Sequence, residues 1–455
     1  MHRRQLGNGN QIPQRWIGVA AGWREVTNNP LEQLVFVPTA MYKKHALLIG
    51  PTGSGKTTAI HHIAAQTIEE GHSLCVLDMR GDLTAAMIEL CAGRVPPEKT
   101  AIIDLREKQR PFGFNPLVGK GEPYFRALNV LDVVESESES WGIQLAETLR
   151  LALMLLSEAG ETITRLESLF YDPDFLSLCL SKCKSESVVG FWQRFQAMSH
   201  DKQAALATPV LNKVSLLMAT GTLRRILGHP KPLDLGQHLD TPGSVLLVSL
   251  AVDETHGAGR MMGRLVLSAV CREIFARVQI PEHQRNPVLL IVDEFEHFGM
   301  DEFKTILAEG RRFGLSAVLA HQTLAQLNTQ MRSMILGNVG TKFIFRCGRE
   351  DGAVLSRDIT GDPRGYDFAD LPVGVAVLWH RGQDAIEVEI NEPIFQSVGH
   401  QSPAAREYLR RIYARVETVI EEPVRLTQLP EYPDPPATQS RPTVIKSTLE
   451  DWLCD

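Results

Sequence analysis

The stretch "HALLIGPTGSGKTTAIHHIAAQ", residues 45 to 66, decides the fold. It passes from a short apolar strand through a glycine-rich turn into a helical pattern. Gly50, Gly55, Lys56 and Thr57 stand at the spacing G-x-x-x-x-G-K-[ST], directly after the strand and directly before the helix, which is the context the motif requires. Glycines let backbone N–H groups wrap a phosphate, and the helix N-terminus adds positive potential. Gly50, Pro51, Thr52, Gly53, Ser54, Gly55, Lys56, Thr57 and Thr58 are therefore expected to bind nucleotide. Lys56 would reach the β- and γ-phosphates and Thr57 would offer its hydroxyl to Mg2+.

Similar apolar runs recur outward from this one: "SLCVLD" (73 to 78), "TAIIDL" (100 to 105), "SVLLVSL" (244 to 250), "VLLIVDE" (288 to 294), "LSAVLAHQ" (315 to 322) and "KFIFRCG" (342 to 348). Helical patterns lie between most of them, so the fold class is α/β, with a mostly parallel sheet covered by helices. "GVAVLWH" and "DAIEVEI", joined by "RGQ", predict a closing hairpin at the sheet edge. Between residues 121 and 237 the strand signal disappears in favour of long apolar helical patterns such as "WGIQLAETLRLALMLL", predicting an inserted all-α domain. Its tract "ESESES" (135 to 140) is most simply a solvated loop. The division expected is an N-terminal segment (1–40), an α/β nucleotide domain (41–120 and 238–400), the insertion (121–237), and a C-terminal helix with a proline-rich tail (401–455). In that tail "LEDWLCD" is a candidate docking segment.

The run "VLLIVDEFEHFG" supplies the second half of the site. Its strand delivers Asp293 to the carboxyl end, where a carboxylate can enter the Mg2+ shell, and Glu294 beside it suits activation of an attacking water. In "EGRRFGLSAVLAHQ" an amphipathic helix should end at Arg311 and Arg312, and the next strand should carry His321 and Gln322 to the same end of the sheet as Asp293. Ligands of open α/β sheets bind there. Gln322 could bond the γ-phosphate or the lytic water. Arg311 and Arg312 could simply complement a helix C-terminus, although no other arginine near the phosphate turn stands out as a stabiliser of transition-state charge.

These residues resemble a known family. "GPTGSGKTT", "VLDMRGDL", "FNPL" (114 to 117), "VDEFEHFGMDEFKTILAEGRRFGLSAVLAHQTLAQL" and "ILGNVGTKFIFRCGREDGAVLSRDI" are similar, in that order, to the HerA/FtsK superfamily, and in particular to the type IV secretion coupling ATPases of conjugation, the TraD/TraG kind. The resemblance implies a RecA-like ATPase domain, a homo-hexameric ring with ATP and Mg2+ at subunit interfaces, and DNA, single- or double-stranded, in a central pore. It makes Lys56 and Thr57 the nucleotide clamp, Asp293 the magnesium carboxylate, Glu294 the catalytic base, Gln322 the sensor and Arg311 an arginine finger. Arg346 and Arg349 are weaker candidates for nucleotide or interface contacts, and no role follows from the sequence for Asp78.

Composition sets limits on partners. The 455 residues are 44 % hydrophobic with a net charge of −7, so no global basic footprint exists and any DNA contact must be local. Seven scattered cysteines argue for buried thiols over a disulfide framework. No stretch reaches the roughly 18 to 20 apolar residues of a membrane span, and the first residues lack a signal-peptide core. A soluble, cytoplasmic chain with no direct membrane insertion is the expectation, any anchor coming from a partner. The leading function is an ATP-driven DNA translocase or coupling motor. An ATP-gated ring that recruits a nuclease, relaxase or effector, or an ATPase powering protein secretion, are the alternatives; a small-molecule kinase has no place for the Gln322 strand.

Overall fold

A computed structural model describes residues 23–25, 39–298, 300–390 and 402–417. Along the chain come β1 (Trp23–Glu25), the single-turn α1 (Thr39–Tyr42), β2 (Ala46–Ile49), α2 (Lys56–Glu69), β3 (Ser73–Asp78), α3 (Asp82–Cys91) and β4 (Thr100–Asp104). Every residue of β2 and β3 is buried, as strands covered by helices on both faces require. The start of α3 is set by Asp78, whose carboxylate accepts the N–H groups of Arg80 (3.0 Å) and Thr84 (2.6 Å). Asp78 thus shapes the turn after β3, a role the sequence alone did not reveal.

Between β4 and the next strand lie helices only: α4 (Pro123–Ser136), α5 (Ile143–Ala159), α6 (Leu166–Tyr171), α7 (Pro173–Lys182), α8 (Glu186–Gln196), α9 (His200–Val214), α10 (Gly221–Leu227) and α11 (Leu235–Asp240), with short 3-10 turns. Local signals fix their ends. Asp172 accepts the N–H groups of Asp174 and Phe175 ahead of Pro173 in α7, and Gly160 closes α5 in the left-handed conformation. Phe170, Trp192 and Phe195 pack ring against ring, 5.2 to 5.7 Å between centroids, inside this segment. The acidic tract is only partly the solvated loop expected. Ser136 still belongs to α4, and Glu137 is drawn down to Arg260 and Arg264.

The chain then forms β5 (Val245–Ser249), α12 (Val252–Thr255), α13 (Gly257–Phe275), β6 (Val288–Asp293), α14 (Met300–Glu309), β7 (Leu315–His321), α15 (Thr329–Asn338), β8 (Thr341–Phe345), α16 (Arg349–Thr360), β9 (Val375–His380), β10 (Ile386–Ile390) and α17 (Pro403–Tyr413). Among the described residues ten strands make one sheet in the order β1-β10-β9-β8-β2-β7-β6-β3-β5-β4. From β8 to β4 all neighbours are parallel. The β9–β10 hairpin forms as expected but is not the outermost element, because β1 adds antiparallel to β10. Three residues in a polar-mixed segment give no strand periodicity to read. The arginine pair also differs from expectation: α14 stops at Glu309, and Arg311 and Arg312 occupy a 3-10 turn, Gly310–Phe313.

Helix α17 docks through Tyr408, whose hydroxyl meets Thr100 Oγ1 at 2.6 Å, and through Ser402, which donates to Glu89. The proline-rich tail and "LEDWLCD" lie outside the described residues.

Candidate functional site

Strand order places the glycine-rich turn at the centre of the sheet, with β2 flanked by β8 and β7, and β6 one strand further. Gly50 comes so close to β8 that a Cβ there would lie 2.6 Å from Phe345 Cβ. Gly55 has φ 112°, a left-handed value that glycine tolerates, and opens α2. Thr52, Gly53 and Thr57 are exposed, Pro51, Gly55 and Thr58 half-buried, and Ser54 and Lys56 buried. Lys56 folds back on its own turn, where Nζ donates to the carbonyls of Gly50 and Pro51, the latter at 3.0 Å. Burial lowers the amine's pKa, offset in part by Asp293, Glu294 and Glu296. Ser54 Oγ is buried without a partner.

A groove of about 490 Å3 opens above the carboxyl ends of β2, β3, β6 and β7, and is lined by Lys56, Thr57, Asp78, Arg80, Asp293, Glu294 and Gln322. Burial, followed by the nearby carboxylates of Asp78 and Glu294, raises the Asp293 pKa to about 6. Glu294 sits at φ 50°, ψ 49°, a left-handed conformation that costs a non-glycine residue about 1–3 kcal/mol and is found at functional positions. Its Oε1 accepts from Gln322 Nε2 at 3.0 Å and from Arg80 Nη2 at 2.9 Å. Asp293, Glu294, Gln322 and the phosphate turn therefore meet in one groove.

Several residues fall elsewhere. His321 is fully buried, with Nδ1 2.8 Å from Glu296 Oε2 and the Phe295 ring 5.0 Å away, so it ties the ends of β6 and β7 together behind the groove. Arg346 and Arg349 line a separate groove of about 520 Å3 beyond Pro51 and Gln322. Asp351, at the start of α16, accepts from Thr323 Oγ1 (2.6 Å) and Leu324 N (2.9 Å), fixing the segment after Gln322. Arg311 is exposed before the amino end of β7, where its charge is felt by the buried His45, and lies at the opposite end of that strand from its own chain's groove. Sequence reasoning assigned nothing to Arg80, Glu296 or Asp351. The one available signal for Arg80 was its place directly after a strand, followed by a glycine, in "LDMRGDL".

The donor set fits nucleotide and Mg2+. An ammonium that, among the described residues, bonds to carbonyls of its own turn, a buried hydroxyl without a partner there, and an Asp293 carboxyl whose pKa is raised by burial and then by neighbouring carboxylates suit a polyphosphate and a divalent cation with few protein ligands.

Comparison with known proteins agrees with this geometry. Residues 34–103 match the family model for the type IV secretion-system coupling protein DNA-binding domain, and residues 287–357 match that for the TraM recognition site of TraD and TraG. Among solved structures, the bacterial conjugative coupling protein TrwB is 18 % identical in its unbound form, with 81 % of this chain and 89 % of that chain covered at a TM-score of 0.56. TrwB with the non-hydrolysable ATP analogue ADPNP gives 17 % identity, 81 % and 90 % coverage, and a TM-score of 0.57. VirB4 of Thermoanaerobacter pseudethanolicus gives 14 %, 86 % and 98 %, and 0.51. No curated protein matches.

A mostly parallel sheet with this phosphate turn and acidic strand end defines a RecA-like P-loop ATPase. The two family models, one on each half of the groove, and the shared fold make the chain similar to the conjugative coupling ATPases of the P-loop class. Among the described residues no helix is long and apolar enough to cross a membrane.

Proposed function

We propose that the protein is a ring-forming motor that hydrolyses ATP to bind and translocate DNA as a conjugative coupling protein does. The observation that carries this reading is the convergence of Lys56, Thr57, Asp293, Glu294 and Gln322 on one groove at the carboxyl ends of adjacent parallel strands. The turn from Gly50 to Thr58 holds the β- and γ-phosphates through its N–H groups and Lys56. Thr57 and Asp293 would hold Mg2+, which when bound neutralises phosphate charge. Glu294 takes the proton of the water that attacks the γ-phosphorus, and Gln322, bonded to Glu294, orients that water. Arg311 serves the groove of the neighbouring subunit in a homo-hexamer. DNA occupies the pore, in keeping with the model matched over residues 34–103, and a relaxase or TraM-like protein docks on the region matched over residues 287–357.

That second match, described as a protein-recognition site, favours one alternative: a ring that recruits a partner and moves nothing. ATPase measurements on size-fractionated protein, with and without single- and double-stranded DNA, separate the two. A motor is stimulated by DNA in the assembled fraction, its DNA binding weakens steeply with salt through counterion release, and Lys56→Ala abolishes turnover. Turnover indifferent to DNA in a salt-insensitive complex would leave the recruiting ring; wild-type turnover by folded Lys56→Ala would remove the active site itself.

A further inference from the structure

Arg80 combines a rigid backbone with a loosely held side chain. Its N–H donates to Asp78 Oδ1 at 3.0 Å, and its carbonyl accepts from Arg106 Nη1 at 2.6 Å. Arg106 is itself clamped to Asp253 at 2.9 Å and Glu254 at 2.7 Å. Gly81 then turns at φ 102°, with the Arg106 guanidinium occupying the space a Cβ would need. By contrast, the Arg80 side chain is 63 % exposed, reaches into the same groove as Lys56 and Thr57, and is paired with Glu294 at 2.9 Å.

Glu294 Oε1 therefore holds two donors, the Arg80 guanidinium and the Gln322 amide. A carboxylate oxygen so occupied is poorly placed to take a proton from water. The guanidinium end of this pair is open to water, which screens the attraction to the more buried Glu294 and leaves Arg80 free to swing to another acceptor. A phosphate offers the same guanidinium a bidentate, more highly charged acceptor.

We propose that Arg80 is a γ-phosphate ligand supplied by the chain's own subunit: without nucleotide it occupies Glu294, and with a triphosphate in the groove it turns to the terminal phosphate and leaves Glu294 to the attacking water. Arg80 then makes the groove distinguish ATP from ADP, and couples that distinction to the availability of the base. This rests on the ATPase reading given above, with Glu294 as base. It differs in kind from the role of Arg311, which acts between subunits.

The test is a titration of wild type, Lys56→Ala, Arg80→Ala and Arg80→Lys with fluorescent ADP and with a fluorescent non-hydrolysable ATP analogue at fixed Mg2+, followed by single-turnover hydrolysis. The exposed position of Arg80 makes loss of folding an unexpected result, and circular dichroism checks it. Arg80→Ala should bind ADP within about twofold of wild type, because ADP lacks the terminal phosphate that Arg80 would hold. It should lose roughly tenfold or more in affinity for the analogue, the scale of one lost charge-assisted contact, and should hydrolyse more slowly. Arg80→Lys should recover part of the loss. Equal effects on both nucleotides, or none on either, overturn the proposal while leaving the ATPase reading intact. Faster hydrolysis with unchanged analogue affinity also overturns it, because Arg80 would then only restrain Glu294. Wild type that binds neither nucleotide, or Lys56→Ala that binds both as wild type does, overturns the ATPase reading and this proposal with it.

Discussion

Glu294 bears the heaviest local constraints of any residue in the groove: a left-handed backbone, a neighbouring Asp293 whose own side chain accepts the Glu294 N–H at 3.0 Å, and two donors on one oxygen. Such strain is maintained by the surrounding sheet and is the kind stored where a side chain must point in one direction. Glu294→Gln keeps the shape and removes the proposed base. ATP binding should persist, Asp293 remains to hold Mg2+, and turnover should fall by roughly 10²- to 10⁴-fold, as loss of a general base predicts. Parallel isotherms and steady-state rates check this; a collapse of nucleotide affinity with the fold intact would mark Glu294 as structural. Asp293 and Glu294 were legible in the sequence because an apolar strand ending in two acids puts both at a known end of the sheet. Arg80 was not, since its ion pair joins the ends of two strands whose adjacency is a property of the sheet. His321 looked like a second polar group at the groove, yet the pairing with Glu296 buries it.

At the level of elements, the apolar runs identified β2 to β7 to within one residue and β8 to within three, and the helical run between β4 and β5 was equally visible. The order of the strands was not, because parallel neighbours are chosen by how crossover helices pack, which leaves no mark in any one strand. One junction set by that packing carries a pH dependence. His45 precedes β2 at φ 59°, is buried, and its Nδ1 accepts the N–H of Ala317 on β7 at 3.0 Å. Burial, and then the charge of Arg311, lowers its pKa from 6.5 to about 4. Between those values the unfolded chain binds more protons than the folded one. The stabilisation is therefore complete above pH 6.5 and is lost as pH falls toward 4. His45→Asn keeps a residue that tolerates the left-handed conformation and removes the titration. Urea unfolding should show that the stability lost by wild type between pH 7 and pH 5 shrinks in this variant by about 1–2 kcal/mol. His61, also lowered to about 4 by burial and by His62, supplies part of the remaining slope. An identical loss in both proteins would assign the whole slope to other groups.

At the scale of the whole molecule, the sheet has two ends with different chemistry. The nucleotide groove lies at the carboxyl ends of the parallel strands, while Arg311 lies before the amino end of β7, with that seven-residue strand between them. At about 3.3 Å per residue the separation is roughly 20 Å, too far for any side chain to span. Arg311 therefore cannot serve its own groove, and its exposure leaves it free for a neighbour's. A head-to-tail ring brings unlike faces together and closes on itself, which would set the arginine of one subunit against the groove of the next. Arg311→Ala should then bind ATP normally and lose about 10³-fold or more in turnover. Mixing Arg311→Ala with Lys56→Ala, each inactive alone, gives the sharper measurement. In a mixed ring some interfaces pair the intact phosphate turn of the first with the intact arginine of the second, and turnover should partly return. If co-assembly is demonstrated and nothing returns, trace Arg311→Ala added to wild type decides the matter. Inhibition beyond its molar share means that one impaired subunit stalls a ring whose sites depend on one another, whereas strictly proportional inhibition means that every site works alone and Arg311 does not act across the interface.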